Sequence, residues 1–287
     1  MRLVKIGVLV ILVVPAAVVL SCGLTTTGSG EAAEGGAFDA TSEAASLDGG
    51  VDLDTGATTP SSCFALSFNG TNNYVTVEDT GDLDPTGPST VEAWVKLTKD
   101  TTDELHVVSH HDHGPRLGYL LMAFGYARDD AGPARLGGCT RYYGGGFMQQ
   151  AGFGTMSSIT IGKWTHLAAT YDGTSVRIHV DGKARDTIAA QTSPANADFS
   201  GVLRIGRNAL GQSFAWGGLI DEVRISKVAR YGSADFVPAG RFEADANTIA
   251  LWHFDEGAGT TVSDVAGTHP GIITGATWVP TVGCDTR

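Results

Sequence analysis

Lys163 to Lys183, KWTHLAATYDGTSVRIHVDGK, constrains the fold more than any other stretch of the chain. From Trp164 to Tyr171, Leu167, Ala169 and Tyr171 point one way and His166, Ala168 and Thr170 the other, the period of two that a half-buried strand requires. Asp172-Gly173-Thr174-Ser175 is rich in turn formers, and Val176, Ile178 and Val180 then alternate with Ser175, Arg177 and His179. Asp181-Gly182 sits where a two-residue type I′ turn needs positive φ. The stretch predicts a three-strand antiparallel meander with two tight corners. It is scaffold rather than chemistry.

The N-terminus carries an address. Arg2 and Lys5 precede an apolar run from Ile6 to Leu20, broken by Pro15 and short for a membrane-spanning helix. This is the pattern of an export signal over residues 1–21. The run ends Val19-Leu20-Ser21-Cys22-Gly23, which resembles the lipobox of bacterial lipoproteins. That resemblance implies lipidation of Cys22 and an exported, membrane-anchored lipoprotein of the cell envelope, held by a lipid and not by a spanning helix. Residues 22–60 are dominated by Gly, Ala, Ser, Thr and acids. So little apolar surface cannot offset the entropy of ordering, which predicts a disordered tether.

Of the 31 acidic residues seven fall in that tether, and none of the 19 basic ones does. The rest keeps 24 acids and, without Arg2 and Lys5, 17 bases, and this balance of about −7 argues against nucleic acid and anionic lipid as partners. Residues 61–287 then form one domain of ordinary all-β size. Besides Cys22 there are Cys63, Cys139 and Cys284, and export permits disulfides. Terminal strands that pair would bring Cys63 to Cys284 and leave Cys139 over, although spacing leaves all three pairings open.

Short strands are predicted at Phe64–Phe68, Tyr74–Val77, Thr90–Leu97, His106–Ser109, Tyr119–Phe124, Val202–Ile205, Gly218–Ser226, Ala250–Phe254 and Ala276–Val279. In Thr90–Leu97 the residues Val91, Ala93, Val95 and Leu97 face the core, with Glu92, Trp94 and Lys96 opposite. Gly137 to Gly154 reads as a long loop or irregular hairpin, and residues 227–247 show no pattern. No stretch has sustained helical periodicity, so the fold class is all-β.

FNGTNNYVTV, TVEAWVKL, KWTHLAATYDGTSVRIHVDGK, GGLIDEVRIS and IALWHFDEGAGTTVSD stand in order across residues 64–283. Together they resemble successive blocks of the laminin-G-like, concanavalin A-like jelly roll. The resemblance implies a two-sheet antiparallel sandwich, used in extracellular recognition, in glycan-binding modules and in glucanases.

Alternation places Asp221 with Leu219, Val223 and Ile225 on an apolar face, where a carboxylate needs a cation or donors. The resemblance implies a structural calcium between Asp221 and the turn Asn69-Gly70, which offers hard oxygen ligands. Otherwise Asp221 caps backbone amides or a bulge turns it to solvent. His106, His110, His111, Asp112 and His113 carry zinc-ligand chemistry, but contiguous side chains diverge and Gly114-Pro115 marks an exposed polar corner. Arg141, Tyr142 and Tyr143, within the Gly-rich stretch, combine planar donors with aromatic faces suited to sugar rings. Trp216 is a second candidate platform, with core packing as its plainer role; Trp94, Trp164, Trp252 and Trp278 read as core or sheet-face residues.

Catalysis finds less support. Laminarinase-type relatives place Glu, Asp and Glu at alternate positions of one strand, a triplet absent here. Asp221 and Glu222 are adjacent and expected on opposite faces, and Asp255-Glu256 reads as a strand end. The expected function is therefore a surface-tethered, non-catalytic recognition module for a glycan or glycosylated surface, or for a protein partner. A divergent glycoside hydrolase or polysaccharide lyase, or a structural envelope lipoprotein, are the alternatives.

Overall fold

The computed structural model describes residues 63–282 except 102, 113–116, 127–134, 145–146, 153–158, 191–200 and 212–213, with backbone alone at 112, 117, 126, 135, 142–144 and 147. Residues 1–21, the tether with Cys22, and Cys284 lie outside the described residues.

Two antiparallel sheets face each other, and no helix occurs among the described residues. The first contains β1 (Cys63–Asn69), β3 (Ser89–Leu97), β8 (Trp164–Tyr171), β9 (Ser175–Val180), β10 (Lys183–Ala189), β12 (Gly217–Ser226), β13 (Thr248–Trp252) and β16 (Thr277–Thr281). Its order is β10-β9-β8-β3-β12-β1-β16, with β13 also on β12. The second runs β14-β15-β2-β11-β4-β5-β6-β7. It uses β2 (Tyr74–Val77), β4 (Glu104–Asp112), β5 (Leu117–Tyr126), β6 (Arg135–Gly144), β7 (Phe147–Ala151), β11 (Leu203–Ile205), β14 (Thr261–Val262) and β15 (Gly271–Thr274). This is the all-β jelly-roll sandwich that the strand pattern predicts.

The opening meander is β8-β9-β10. Asp181 and Gly182 adopt φ of 50° and 70°, as the type I′ corner demands. Leu167, Ala169, Tyr171, Val176, Ile178 and Val180 all enter the main core between the sheets, beside Val91, Ala93, Val95 and Leu97 of β3. The opposite face is not solvated. His166, Ala168, Thr170, Glu92 and Trp94 are as buried as the inward residues.

What buries them is the unpatterned segment 227–247, which lies across this outer face. Thr90 Oγ1 donates to the Val228 carbonyl at 2.9 Å and Trp94 Nε1 to the Ala239 carbonyl at 2.9 Å. The Gly232 carbonyl accepts from His179 Nε2 at 2.8 Å, and Phe236 N donates to the Gly182 carbonyl at 2.9 Å. Phe242 completes a small apolar cluster with Trp94 and Leu251. The segment has no strand periodicity because it contributes single anchors to a surface instead of pairing into a ladder.

Of the two readings of the Gly-rich stretch the hairpin holds and the long loop does not: β6 and β7 pair antiparallel from Thr140↔Ala151 to Gly144↔Phe147. Gly138 shows why glycine belongs there. A Cβ at this position would lie 2.9 Å from Val180 and 3.0 Å from Leu167, so the missing side chain lets the second sheet sit close on the meander.

Candidate functional site

A cleft of about 190 Å³ opens at the end of the sandwich where β1, β3, β4 and β12 converge. Its walls are the turn at Gly70, Leu97 at the end of β3 with Lys99 after it, Thr101, Asp103, Glu104 and Leu105 leading into β4, and Phe214, Ala215 and Gly217. Local chemistry builds each wall. Asn69 Oδ1 accepts from the amides of Thr71 at 2.9 Å and Asn72 at 3.1 Å, closing a turn in which Gly70 takes a φ of 75°. The Gly217 carbonyl receives both Thr98 N at 3.1 Å and Thr98 Oγ1 at 3.0 Å, pinning the end of β3 to the start of β12. The Lys99 stem runs over the two glycines: a Cβ on Gly70 would meet its Nζ at 2.8 Å, and one on Gly217 its Cε at 2.9 Å.

Glu104, on the cleft wall, is held by three partners. Arg141 Nη1 donates to its Oε2 at 2.8 Å and Nη2 donates to Oε1, a two-pronged pair. His106 Nε2 lies 3.5 Å from Oε2. Burial alone would raise the Glu104 pKa, but His106 and Arg141 outweigh it and hold the carboxyl at about 2. Arg141 Nε is fixed in turn by Gln150 Oε1 at 2.7 Å. The His106 ring stacks on Phe214 at 5.3 Å between centroids and 17° between planes, which sets the pose of Phe214 in the wall.

The structure therefore places one predicted ligand residue, Arg141, beside the cleft. Tyr142 and Tyr143 follow it in β6, and their side chains lie outside what is described. Trp216 is not a platform. It is fully buried in the main core, and its indole N–H donates to the Leu219 carbonyl at 3.1 Å. Phe214, two residues earlier, takes the position expected of Trp216. Only the His106 contact across the sheet reveals this.

The expected calcium set is not brought together. Asn69 pairs with Gly217 and Leu66 with Ile220, so Asp221 stands four register positions from Asn69, roughly 13 Å along the strand. Strict alternation also fails in β12. Glu222 has a φ of 51° and sits with Val223 opposite the single residue Ala93, a β-bulge between Asp221 and Arg224. Asp221 therefore pairs with outer-face Trp94, while Val223 and Ile225 stay in the core. Glu222 also turns outward, so the adjacent acids do not point to opposite faces. Its Oε2 accepts from Phe242 N at 2.8 Å and its Oε1 lies 2.8 Å from His253 Nδ1. The residues Asp221, Asn69 and Gly70 do not fit one calcium ion.

The histidine run is not an exposed corner either. β4 continues to Asp112, and His106, His110 and His111 are buried. His110 Nε2 lies 3.4 Å from Asp79 Oδ2 and Nδ1 lies 3.3 Å from Asp84 Oδ1, with the Gly201 carbonyl 3.1 Å from Nε2. These three side chains are a donor set that could hold a metal ion. The carboxylates, however, face opposite ring nitrogens, which suits an imidazolium donating from both. Burial would lower the His110 pKa, but the Asp79 and Asp84 carboxylates raise it to about 9.

Asp255 and Glu256 are committed to the scaffold. Asp255 Oδ1 accepts from Phe64 N at 3.2 Å and its Oδ2 pairs with Arg241, while Glu256 Oε1 accepts from Ser263 N at 2.6 Å. Cys139 is a free, buried thiol beside Leu120 and Met122.

A structure of a candidate carbohydrate binding protein from Bacteroides ovatus superposes with a TM-score of 0.55 at 19% identity, covering 78% of this chain and 61% of that one. The chain thus spans about three-fifths of that protein's length. The CBM40 of a Ruminococcus gnavus sialidase gives 0.42 at 13% identity over 57% of this chain and 92% of its own. Domains LG4-5 of the mouse laminin alpha1 chain give 0.42 at 14% identity over 60% of this chain and 44% of theirs. No curated protein matches in sequence. A laminin G family model described as the concanavalin A-like lectin/glucanases superfamily matches residues 69–234, more than half of the chain. With its two facing antiparallel sheets, the chain belongs to the concanavalin A-like lectin/glucanases superfamily.

Proposed function

We propose that the domain is a non-catalytic glycan-binding module whose ligand-contacting end is the cleft at Lys99, Asp103, Glu104 and Phe214. The observation that carries this reading is the composition of that cleft. A sugar ring presents hydroxyls that both donate and accept, together with an apolar C–H face. The cleft offers an ammonium donor in Lys99, a hydroxyl in Thr101, carboxylate acceptors in Asp103 and Glu104, and one aromatic ring in Phe214. At about 190 Å³ it suits a single sugar ring, leaving the rest of a glycan on the surface. The candidate carbohydrate binding protein from Bacteroides ovatus, which shares this fold, is in keeping with that reading.

The carboxylates support a binding role over glycoside hydrolysis. A glycosidase acid must hold a proton near neutral pH, yet Arg141 and His106 keep Glu104 ionised. Glu92 and Glu222, buried on the outer face of the first sheet, are occupied by structural partners. Lipidated Cys22 and the acidic tether would display the cleft away from a membrane. Glycan-array screening followed by calorimetry tests the reading: Phe214→Ala should weaken binding about tenfold with an unchanged melting temperature, on the scale of one lost stacking contact. Release of shorter sugars from a bound glycan would overturn the non-catalytic assignment. Cys22→Ala should move the protein from the membrane to the soluble fraction.

A further inference from the structure

The outward face of the second sheet continues from the cleft to an arginine that pairs with no acid among the described residues. Leu203 and Ile205 of β11 enter the core, so Arg204 between them faces outward. It pairs with Thr76, whose other neighbour, Ile272 of β15, is half exposed. The Arg204 guanidinium lies 4.6 Å over the Tyr74 ring, and Arg207 approaches the same ring at 5.6 Å. Stacking on an aromatic occupies the flat face of a guanidinium and leaves its N–H edge for a ligand.

That edge is under-used. Arg204 Nη1 reaches the Asn208 carbonyl at 3.3 Å, and the buried Nε has no acceptor among the described residues. The neighbouring Asn208 repeats the pattern. Its Oδ1 accepts from Leu210 N at 2.7 Å, but its buried Nδ2 donates to no described residue. Exposed Glu78, just past β2, makes no ion pair with Arg204 among the described residues. Among the described residues, two buried donors lacking acceptors beside a stacked cation call for an anion from outside.

We propose that Arg204, seated on Tyr74 beside Arg207 and Asn208, is the subsite for a carboxylate or sulfate of the glycan whose other end fills the cleft. This rests on the glycan reading above. Arg204 is paired with Ser109, which the bulge between His106 and Val108 leaves four register positions along β4 from Glu104 of the cleft wall, so the two subsites lie roughly 13 Å apart on one face. An oligosaccharide bridges such a span.

Calorimetry on the full-length protein in detergent tests this with four probes: a hexameric uronate, a sulfated hexasaccharide, a neutral hexasaccharide and inorganic sulfate. At least one acidic oligosaccharide should bind tenfold or more tighter than the neutral one, and Arg204→Gln should abolish that preference at an unchanged melting temperature. Arg204→Lys should restore part of it. Whether the uronate or the sulfated probe is preferred identifies the anion. If Arg204→Gln leaves the preference intact, or no preference exists, the subsite is wrong while Phe214-dependent binding of the neutral probe keeps the glycan reading. If only inorganic sulfate binds, and through Arg204, the glycan reading falls and the anion subsite stands. Silence with all four probes overturns both.

Discussion

Glu92 on β3 and His166 on β8 meet with Oε2 and Nε2 3.0 Å apart, on a sheet face that an edgewise reading would assign to solvent. Neither side chain is exposed. Arg224 Nε and Nη2 donate to Oε1 at 2.9 and 2.7 Å, and Tyr231 OH donates to Oε2 at 2.7 Å. Arg224 in turn lies 4.5 Å from the centre of the Phe242 ring. The network joins three strands to the segment that covers them.

Removing its acceptor should therefore unfasten that cover. Burial raises the Glu92 pKa, but the hydrogen bond and charge of His166 and the charge of Arg224 lower it further, below its ordinary 4.5. A depressed carboxyl contributes stability that is present above 4.5 and lost as pH falls through the folded-state value. Glu92→Ala leaves Arg224 buried without its anion and should cost about 3–5 kcal/mol in denaturant unfolding. A change below 1 kcal/mol would show that the network contributes little.

His110 predicts loss on the alkaline side. Its pKa is raised from 6.5 to about 9, so the stabilisation is complete below 6.5 and disappears as pH rises through 9. A shift of that size corresponds to about 3 kcal/mol. Melting temperatures from pH 6 to 10 should fall for the natural protein and stay nearly level for His110→Gln. Parallel curves would remove His110 as the cause.

Chelation should be without effect on the fold. Because register parts Asp221 from Asn69 and Gly70, EDTA should leave the melting temperature where it is. A drop of several degrees that calcium reverses would mean that a calcium site exists elsewhere.

Gly182 makes a sharp backbone test. Its φ of 70° is costly for an L side chain, and a Cβ would stand 1.8 Å from the Phe236 carbonyl oxygen. Gly182→Ala should destabilise by about 1–3 kcal/mol through strain at the turn. Gly173→Ala, also at positive φ but with open space around it, should cost less.

The cysteines should differ in reactivity. Burial pushes the Cys139 thiol up to about 12, so alkylation should be slow in the folded protein and fast in denaturant. β1 pairs with β16 so that Cys63 faces Thr281, three residues before Cys284. We expect non-reducing peptide mapping to return a Cys63–Cys284 peptide, and a peptide containing Cys139 would refute that pairing.

Local sequence determined the strands whose alternation and corners are self-contained. Leu167 to Val180 could be placed inward, and Asp181-Gly182 assigned its turn, because side-chain period and φ preference act within a few residues. The sandwich followed because two such faces must bury each other. Tertiary structure alone decided the rest. Nothing near Glu222 in the sequence announces the bulge that turns it outward, since that bulge arises where β12 exchanges β1 for β13 as its partner. Nothing near residues 227–247 says that they roof a sheet, because their anchors to Thr90, Trp94 and His179 come from distant strands. The candidate site was legible only at Arg141 and at the Asn69-Gly70 turn, the latter in another role. Phe214 acquires its place from His106, and Arg204 loses its options for pairing by lying beside Tyr74. Periodicity reports which way a side chain points; only the assembled fold determines what it meets there.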